Sequence, residues 1–572
     1  MEEQMMARLT KNNPGKVAFY RLIMIIIAIL IIASALSVLK VRIDLTEDNR
    51  YTLSKPTKKI LSSLKNDIYI QVYLEGDMPI PLKRLRRSVM DILEEFRIYS
   101  GRKVDFSFIN PSGGETDEQR NSMYESLVNK GLSPTRLQAE DKEGGSSQRI
   151  IFPGMIVNYN GVEVPVNFLK NNFSMTTDQN ILRASESLEY EIIQTISTLS
   201  SDSVKRVAFI EGHSEIPEIA TADITYDLAK FFTIDRGMIN GKPGSLEKYS
   251  AVIIAGPQRE FTEADKFVID QYIMQGGRAL WLVDEVYVNA DSLSVGETAA
   301  LYRPLNIEDQ LFRYGARVNP EIVQDANCQI IRLKVIGSNG NQQYVPMPWI
   351  YYPLLIPSAK HPLTRNLNRV KGEFTNYIDT VGLDKAIRKE VLLTTSDFSR
   401  TLAPPVLISL RESERLPDES EFKKSRLPVA VLLEGVFPSV FKNRVINDIV
   451  PGKVSFKNES TDTKMIVVAD ADIIQNGVRR TASGEVPLPL GQDRYTGEVY
   501  GNTDFIVNCV NYLTDDKGLM QLRSRELKIR LLDKSKVRNE RMKWQIINIF
   551  GPVLLVIISG LIYNYLRKRK YA

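Results

Sequence analysis

Two stretches of the chain, Leu22 to Leu39 and Trp544 to Leu566, carry no charged residue. Each is long enough to cross a bilayer core, which takes about 20 helical residues, the first with little to spare. Between them the apolar positions repeat as they do in water-soluble elements. Ser54 stands as a cap before Lys58 to Leu64, Ile68 to Leu74 is a β-rich run, and Leu82 to Tyr99 has helical spacing at Leu85, Val89, Ile92, Leu93 and Phe96. Lys103 to Ile109 alternates as a strand, and Glu115 to Lys130 reads as a helix closed by Gly131. Arg149 to Val166 reads as two strands turned at Asn160-Gly161, and Ala184 to Leu199 as a last helix. Gly144-Gly145-Ser146-Ser147 reads as a loop. This order, βαβαββα, predicts a thioredoxin-like domain over residues 44–201, without the CxxC pair that redox chemistry requires.

A second pattern begins at Asp202. The strand Val204 to Ile210, the helix Ala222 to Phe231, the strand Ala251 to Ala255, the Thr262-capped helix through Met274 and the strand Arg278 to Val283 alternate in the manner of a parallel sheet. Lys464 to Val468 and the helix Thr503 to Leu513 continue it, which makes about 291–460 an insertion of mixed β structure in a domain over 202–520. The fold class expected is α/β, with one transmembrane helix at each end.

Lys and Arg beside a span favour the cytoplasm. Arg8, Lys11, Lys16 and Arg21 precede the first span, and Arg567, Lys568, Arg569 and Lys570 follow the second, so residues 1–21 and 567–572 are expected to be cytoplasmic and the bulk external. The basic juxtamembrane segment 521–543, with Lys534, Lys536, Arg538, Arg541 and Lys543, argues mildly the other way. A signal peptide cleaved at Ala33-Ser34-Ala35 is the rival of the first span. Retention is favoured because the apolar run continues through Leu36, Val38 and Leu39.

Composition narrows the function classes. The net charge is +5 over 572 residues, with much of the excess beside the spans, which suits anionic lipid and gives no case for nucleic acid. Cys328 and Cys509 are the only cysteines, too few for a disulfide framework. A buried thiol at Cys509 and a Cys328 to Cys509 disulfide both stay open. No G-x-x-x-x-G-K-[ST] run occurs, since Gly241-Lys242-Pro243 lacks the hydroxyl residue, and there is no dinucleotide fingerprint, HExxH helix or G-x-S-x-G elbow. With His213 and His361 the only histidines, no metal site or cofactor is expected and no catalytic residue is assigned.

Three groups remain as ligand or partner candidates. Glu211, His213, Ser214 and Glu215 sit where a parallel strand ends, the edge at which open α/β sheets bind ligands. They serve equally well as hydrogen-bonded loop braces. Asp470 and Asp472 follow another buried strand; they could join Asp504 or Asn508 around a hard cation, or cap and brace the loop. Trp349, Tyr351 and Tyr352 lie in a proline-bounded aromatic stretch suited to an interface or to a core. The basic run Lys83, Arg84, Arg86 and Arg87 reads as a solvated helix face.

The juxtamembrane Asp44-Leu45-Thr46 with Arg50-Tyr51-Thr52-Leu53-Ser54, the strand-end Glu211-Gly212-His213-Ser214-Glu215, the turn Gly276-Gly277-Arg278, and Val468-Ala469-Asp470-Ala471-Asp472 ahead of Asn508-Cys509-Val510-Asn511-Tyr512-Leu513 resemble the auxiliary subunits of ABC transporters linked to gliding motility. The resemblance covers nearly the whole chain. It implies an inner-membrane protein with a periplasmic bulk, working beside a separate GldF-like permease and a separate GldA-like ATPase. It also implies that the middle domain is similar to class I glutamine amidotransferases, from which this chain departs in having no cysteine at a strand-to-helix elbow. The function expected is a non-catalytic accessory subunit whose outer domains bind a substrate or partner while the spans meet the permease. The alternatives are a membrane-anchored hydrolase or amidase of envelope material using His213, and a structural envelope anchor.

Overall fold

A computed structural model of the chain describes residues 14–39, 52–114, 116–140, 146–169, 176–201, 203–336, 342–382, 386–446, 449, 455–482, 484–493, 495–524 and 534–571. The resemblance motif over residues 44–51 lies outside them. Residues 51–525 form one compact unit, and the terminal helices Pro14–Leu39 and Lys534–Tyr571 belong to another. The architecture is mixed α/β.

Strands β1 (Ile68–Val72) and β2 (Val104–Phe108) pair in parallel. Strands β5 (Gly154–Tyr159) and β6 (Val162–Asn167) add antiparallel on the other side of β1, giving the order β2-β1-β5-β6. The β5–β6 turn is the expected Asn160-Gly161, with both residues at positive φ, 52° and 85°, as a two-residue hairpin of this hand requires. A hairpin of β3 (Thr135–Glu140) and β4 (Ser146–Ile151) precedes β5. Residues 146 and 147, expected in a loop, are its paired strand. Low apolar content hides it, since Thr135–Glu140 holds only Leu137 and Ala139 as apolar residues. Ser54 caps the helix Lys55–Ser62 by accepting from the Thr57 amide, and the Ser54 amide and Thr57 hydroxyl both donate to Glu189 of the long helix Thr177–Leu199. Lys83, Arg84 and Arg87 lie exposed on the helix Ile80–Tyr99, while Leu82, Leu85 and Val89 are buried.

The second sheet runs through β7 (Arg206–Glu211), β8 (Thr233–Met238), β9 (Ala251–Ala255) and β10 (Ala279–Leu282), in the order β8-β7-β9-β10, all parallel. Thr463–Val468 joins β10 in parallel, as its sequence predicts. Beyond these parallel strands the sheet is mixed, because strands of the expected insertion join it. Pro428–Gly435, Ile387–Thr394, Gln342–Pro357 and Cys328–Ile336 continue it antiparallel, so the segment 291–460 extends the sheet as well as building smaller ones beside it.

Alternate residues of the parallel strands enter two different cores. Val207, Phe209, Ile253, Leu280, Leu282, Ile466 and Val468 join a cluster with the helix Asn502–Thr514 and with Ile192, Ile193 and Ile196 of the long helix. Ala208, Ile210, Val252, Ile254, Trp281 and Val467 join a second with the helices Glu263–Met274 and Glu308–Tyr314. The first cluster also holds Ile70 and Val157 of the four-stranded sheet and Leu85 of the helix Ile80–Tyr99. The two expected outer domains therefore share one hydrophobic core.

In the second unit, Arg538–Arg569 is 32 residues long and contains an 18-residue window of mean hydropathy 2.3, none of it buried, so the helix is long and apolar enough to cross a membrane. The helix Pro14–Leu39 runs through Ala33-Ser34-Ala35, and its apolar part among the described residues is the shorter Leu22–Ile31.

Gly435, at the end of its strand with φ 137°, faces the Ala386 carbonyl so closely that an added Cβ would stand 2.0 Å from the oxygen. Gly435→Ala is expected to lower stability by about 1–3 kcal/mol or more, measured as the denaturation midpoint of the detergent-solubilised chain. An unchanged midpoint would refute the close approach.

Candidate functional site

The carboxyl ends of β7, β9, β10 and Thr463–Val468 lie along one edge of the sheet, and the first two candidate groups meet there. Gly256, at φ 61°, follows β9; an added Cβ would come within 3.0 Å of both Ile216 and Ala471. A side chain here would wedge the His213 loop away from the Asp470 segment. The backbone finishes the joint, with the Ile216 amide donating to the Ala255 carbonyl and the Gly256 amide to that of Leu282.

His213 is a brace in this loop. It is 4% exposed and stacks on Phe261 with ring centroids 3.6 Å apart. Its Nδ1 lies 3.0 Å from Glu215 Oε1 and its Nε2 3.3 Å from Asp265 Oδ2. Both carboxylates are themselves occupied: Glu215 accepts the His213 amide, and Asp265 accepts the Gly241 amide and the Thr262 hydroxyl. The His213 carbonyl takes the amides of Gln258 and Arg259. An imidazole held on both nitrogens and covered on one face has no room to serve a substrate. Ser214 is exposed at φ 57°, and Glu211 meets Arg236 at 3.4 Å.

Asp470 is also a brace. It caps the turn Ala471–Ile474 by accepting the Asp472 amide at 2.9 Å, and accepts the Glu373 amide at 3.0 Å and the Thr375 hydroxyl. Asn508 is turned away to the Leu363 carbonyl. Among the described residues no group of three or more His, Cys, Asp or Glu side chains is arranged to hold a metal ion.

The same edge holds carboxylates that sequence reasoning missed. Asp284 follows β10 as Asp470 follows its own strand, and accepts the Ala471 amide at 3.0 Å. Burial pushes Asp284 up to about 6. Burial and the neighbouring Asp284 charge hold Asp470 well above the usual carboxylate range, and burial with Glu373, Asp284 and Asp470 does the same to Asp472. Lys371 supplies one cation, 2.6 Å from Glu373. The signal was present in Val283-Asp284-Glu285, a carboxylate pair directly after a buried strand, the same punctuation as Ala469-Asp470.

The aromatic group lies elsewhere, and its core reading is the one realised for two of its members. Trp349 and Tyr351 are buried in a third cluster with Phe374, and the Tyr351 hydroxyl donates to Glu412 at 3.0 Å. Tyr352 is half-buried, edge-on to Phe374 at 5.3 Å. Alternation along Gln342–Pro357 turns them inward, and their type alone could not tell a core from a contact surface. Cys328 and Cys509 are free thiols, the latter buried on its helix, so no disulfide joins them.

Residues 204–509 match the family described as ABC-type uncharacterized transport system. The chain belongs to that family. It is therefore a non-catalytic, membrane-associated protein of ABC transport, with a permease and an ATPase as its general partners. Residues 47–158 match a domain of unknown function, DUF7088. No curated protein matches the chain. Among solved structures it is similar to the mmIFT52 N-terminal domain at 14% identity and a TM-score of 0.30, over 54% of this chain and 97% of that one, a likeness too loose to carry an argument.

Glu285, next to Asp284, is 4% exposed, and burial, then the Glu308 charge, push its carboxyl up to about 8 from an ordinary 4.5. The folded chain thus holds this proton more tightly than the unfolded chain. Its contribution is complete below about pH 4.5 and is lost as pH rises towards 8. Wild type should lose on the order of 3 kcal/mol from this group between pH 5 and pH 8, and Glu285→Gln should flatten that slope in denaturant titrations at the two pH values. Equal slopes in both proteins would show that Glu285 is not the group responsible.

Proposed function

We propose that the chain is a GldG-type accessory subunit of an ABC transporter linked to gliding motility, set in a bacterial inner membrane beside a GldF-like permease and a GldA-like ATPase. Both termini are cytoplasmic and the bulk is periplasmic, with spans at 22–39 and 544–566. The outer part binds a substrate or partner protein and couples that event to the permease. Its thioredoxin-like region, 44–201, acts as a scaffold, a reading supported by the order β2-β1-β5-β6 with one parallel pair and two antiparallel additions. The amidotransferase-like region, 202–520, is a degenerate binding domain. That reading draws support from the parallel strands β8-β7-β9-β10 and from Cys509 standing inside a helix instead of at an elbow.

The observation that carries the proposal is the helix Arg538–Arg569, none of whose apolar window is buried among the described residues. Apolar side chains of this density require lipid or another span around them. Ser214, exposed in the turn after β7, is the surface offered to a partner; Glu211, His213, Glu215, Asp470 and Asp472 hold the loops around it, with Trp349, Tyr351 and Tyr352 supporting from within.

Protein solubilised in mild detergent from its own membrane is expected to copurify with one permease and one ATPase, identified by mass spectrometry. The intact chain recovered alone under the same conditions would overturn the assignment.

A further inference from the structure

The helix Asp117–Asn129 is polar over its first two turns, with Asp117, Glu118, Gln119, Arg120 and Asn121. Its last turn differs: Leu127 is buried, yet Val128 stands 47% exposed. Val128 lies on a groove of about 450 Å³ between this helix and the base of the β3–β4 hairpin. Tyr124, Pro134, Ile150 and Phe152 supply the rest of its apolar lining. The walls are fixed in advance. The Tyr124 ring lies 5.4 Å from that of Phe152, and its hydroxyl bonds Ser112 at 2.8 Å. Phe152 is itself rooted in a core with Leu127, Leu132, Tyr73 and Ile156.

The polar lining is Asn129 and Glu125, and Glu125 is the one charged side chain among the lining residues. It is exposed and makes no ion pair among the described residues. The groove is open to solvent along one side, so a small molecule would not reach the 70–90% burial usual for enclosed ligands. A chain laid along it needs to bury only its anchor side chains, and an ordered aromatic wall lowers the cost of doing so. An exposed carboxylate at the rim selects a cation beside those anchors.

We propose that this groove docks an extended segment of a partner protein that carries apolar side chains next to a lysine or arginine. The inference rests on reading the outer part of the chain as partner-binding and adds the place and the chemistry of the contact. It is tested on the purified chain, so its failure is separable from failure to copurify with a transporter.

The experiment selects random displayed peptides on the detergent-solubilised full chain and measures the affinity of the enriched peptides as synthetic probes. Enrichment of aliphatic or aromatic residues adjacent to Lys or Arg is expected. Val128→Glu places a charge on an exposed groove wall and should weaken the probes at least tenfold, with an unchanged circular dichroism spectrum. Glu125→Lys should reverse the selected flank from Lys or Arg to Asp or Glu. The proposal is overturned if no apolar motif is enriched, or if affinity is indifferent to both substitutions. It is overturned equally if Val128→Glu instead abolishes self-association in sedimentation equilibrium, which would give the groove to a second copy of the chain.

Discussion

Burial of the parallel strands on both faces is the constraint from which the rest of residues 51–525 follows. A strand buried on one side can alternate apolar and polar residues; β7, β9, β10 and Thr463–Val468 cannot, because successive side chains enter two separate cores. Ala251–Ala255 is buried at every position for that reason. Each core then requires its own cover. One is closed by the helix Asn502–Thr514 and the long helix Thr177–Leu199, the other by Glu263–Met274 and Glu308–Tyr314. The long helix meets the four-stranded sheet as well, which makes the joint between the two sheets part of the interior.

That constraint also fixes where polar groups gather. Backbone leaving a doubly covered strand must satisfy its amides within a loop, and carboxylates placed two to four residues after the strand do so. Asp470 takes the amides of Asp472 and Glu373, Asp284 takes that of Ala471, and Glu215 takes that of His213. The edge at which an enzyme of this architecture would keep its reactive groups is here used to hold loops together. Each carboxylate committed to an amide is one fewer for chemistry, and His213, gripped at both nitrogens, is in the same position.

The sequence made local structure legible where one signal dominates. Ser54 and Thr262 cap their helices through their own side chains, Asn160-Gly161 turns its hairpin, and Thr463–Val468 joins the sheet as its apolar run demands. What it hid depends on partners distant in sequence. The β3–β4 hairpin has few apolar residues, and Thr233–Met238 is an edge strand with two exposed ends, so neither carries a strong periodicity. The antiparallel extension by Pro428–Gly435 looks, in sequence, like any short apolar run. For the site, residue type and strand-end position were enough to find His213 and Asp470, but their saturation with hydrogen bonds rests on Gly241, Thr262, Glu373 and Thr375, none of which sequence spacing brings near them.

A chain with its strand-end groups spent on bracing, and without a nucleotide-binding loop, draws the work of transport from elsewhere. Its unspent surfaces show which kinds of contact it is built for. They are the apolar helix Arg538–Arg569, the exposed turn at Ser214 and the groove beside Val128. The first is suited to lipid and neighbouring spans; the others are suited to protein. An accessory subunit needs both kinds. Within residues 51–525 the continuous core from Ile70 through Ile193 to Val468 joins the two sheets, and close-packed interiors of this kind pass on strain instead of absorbing it.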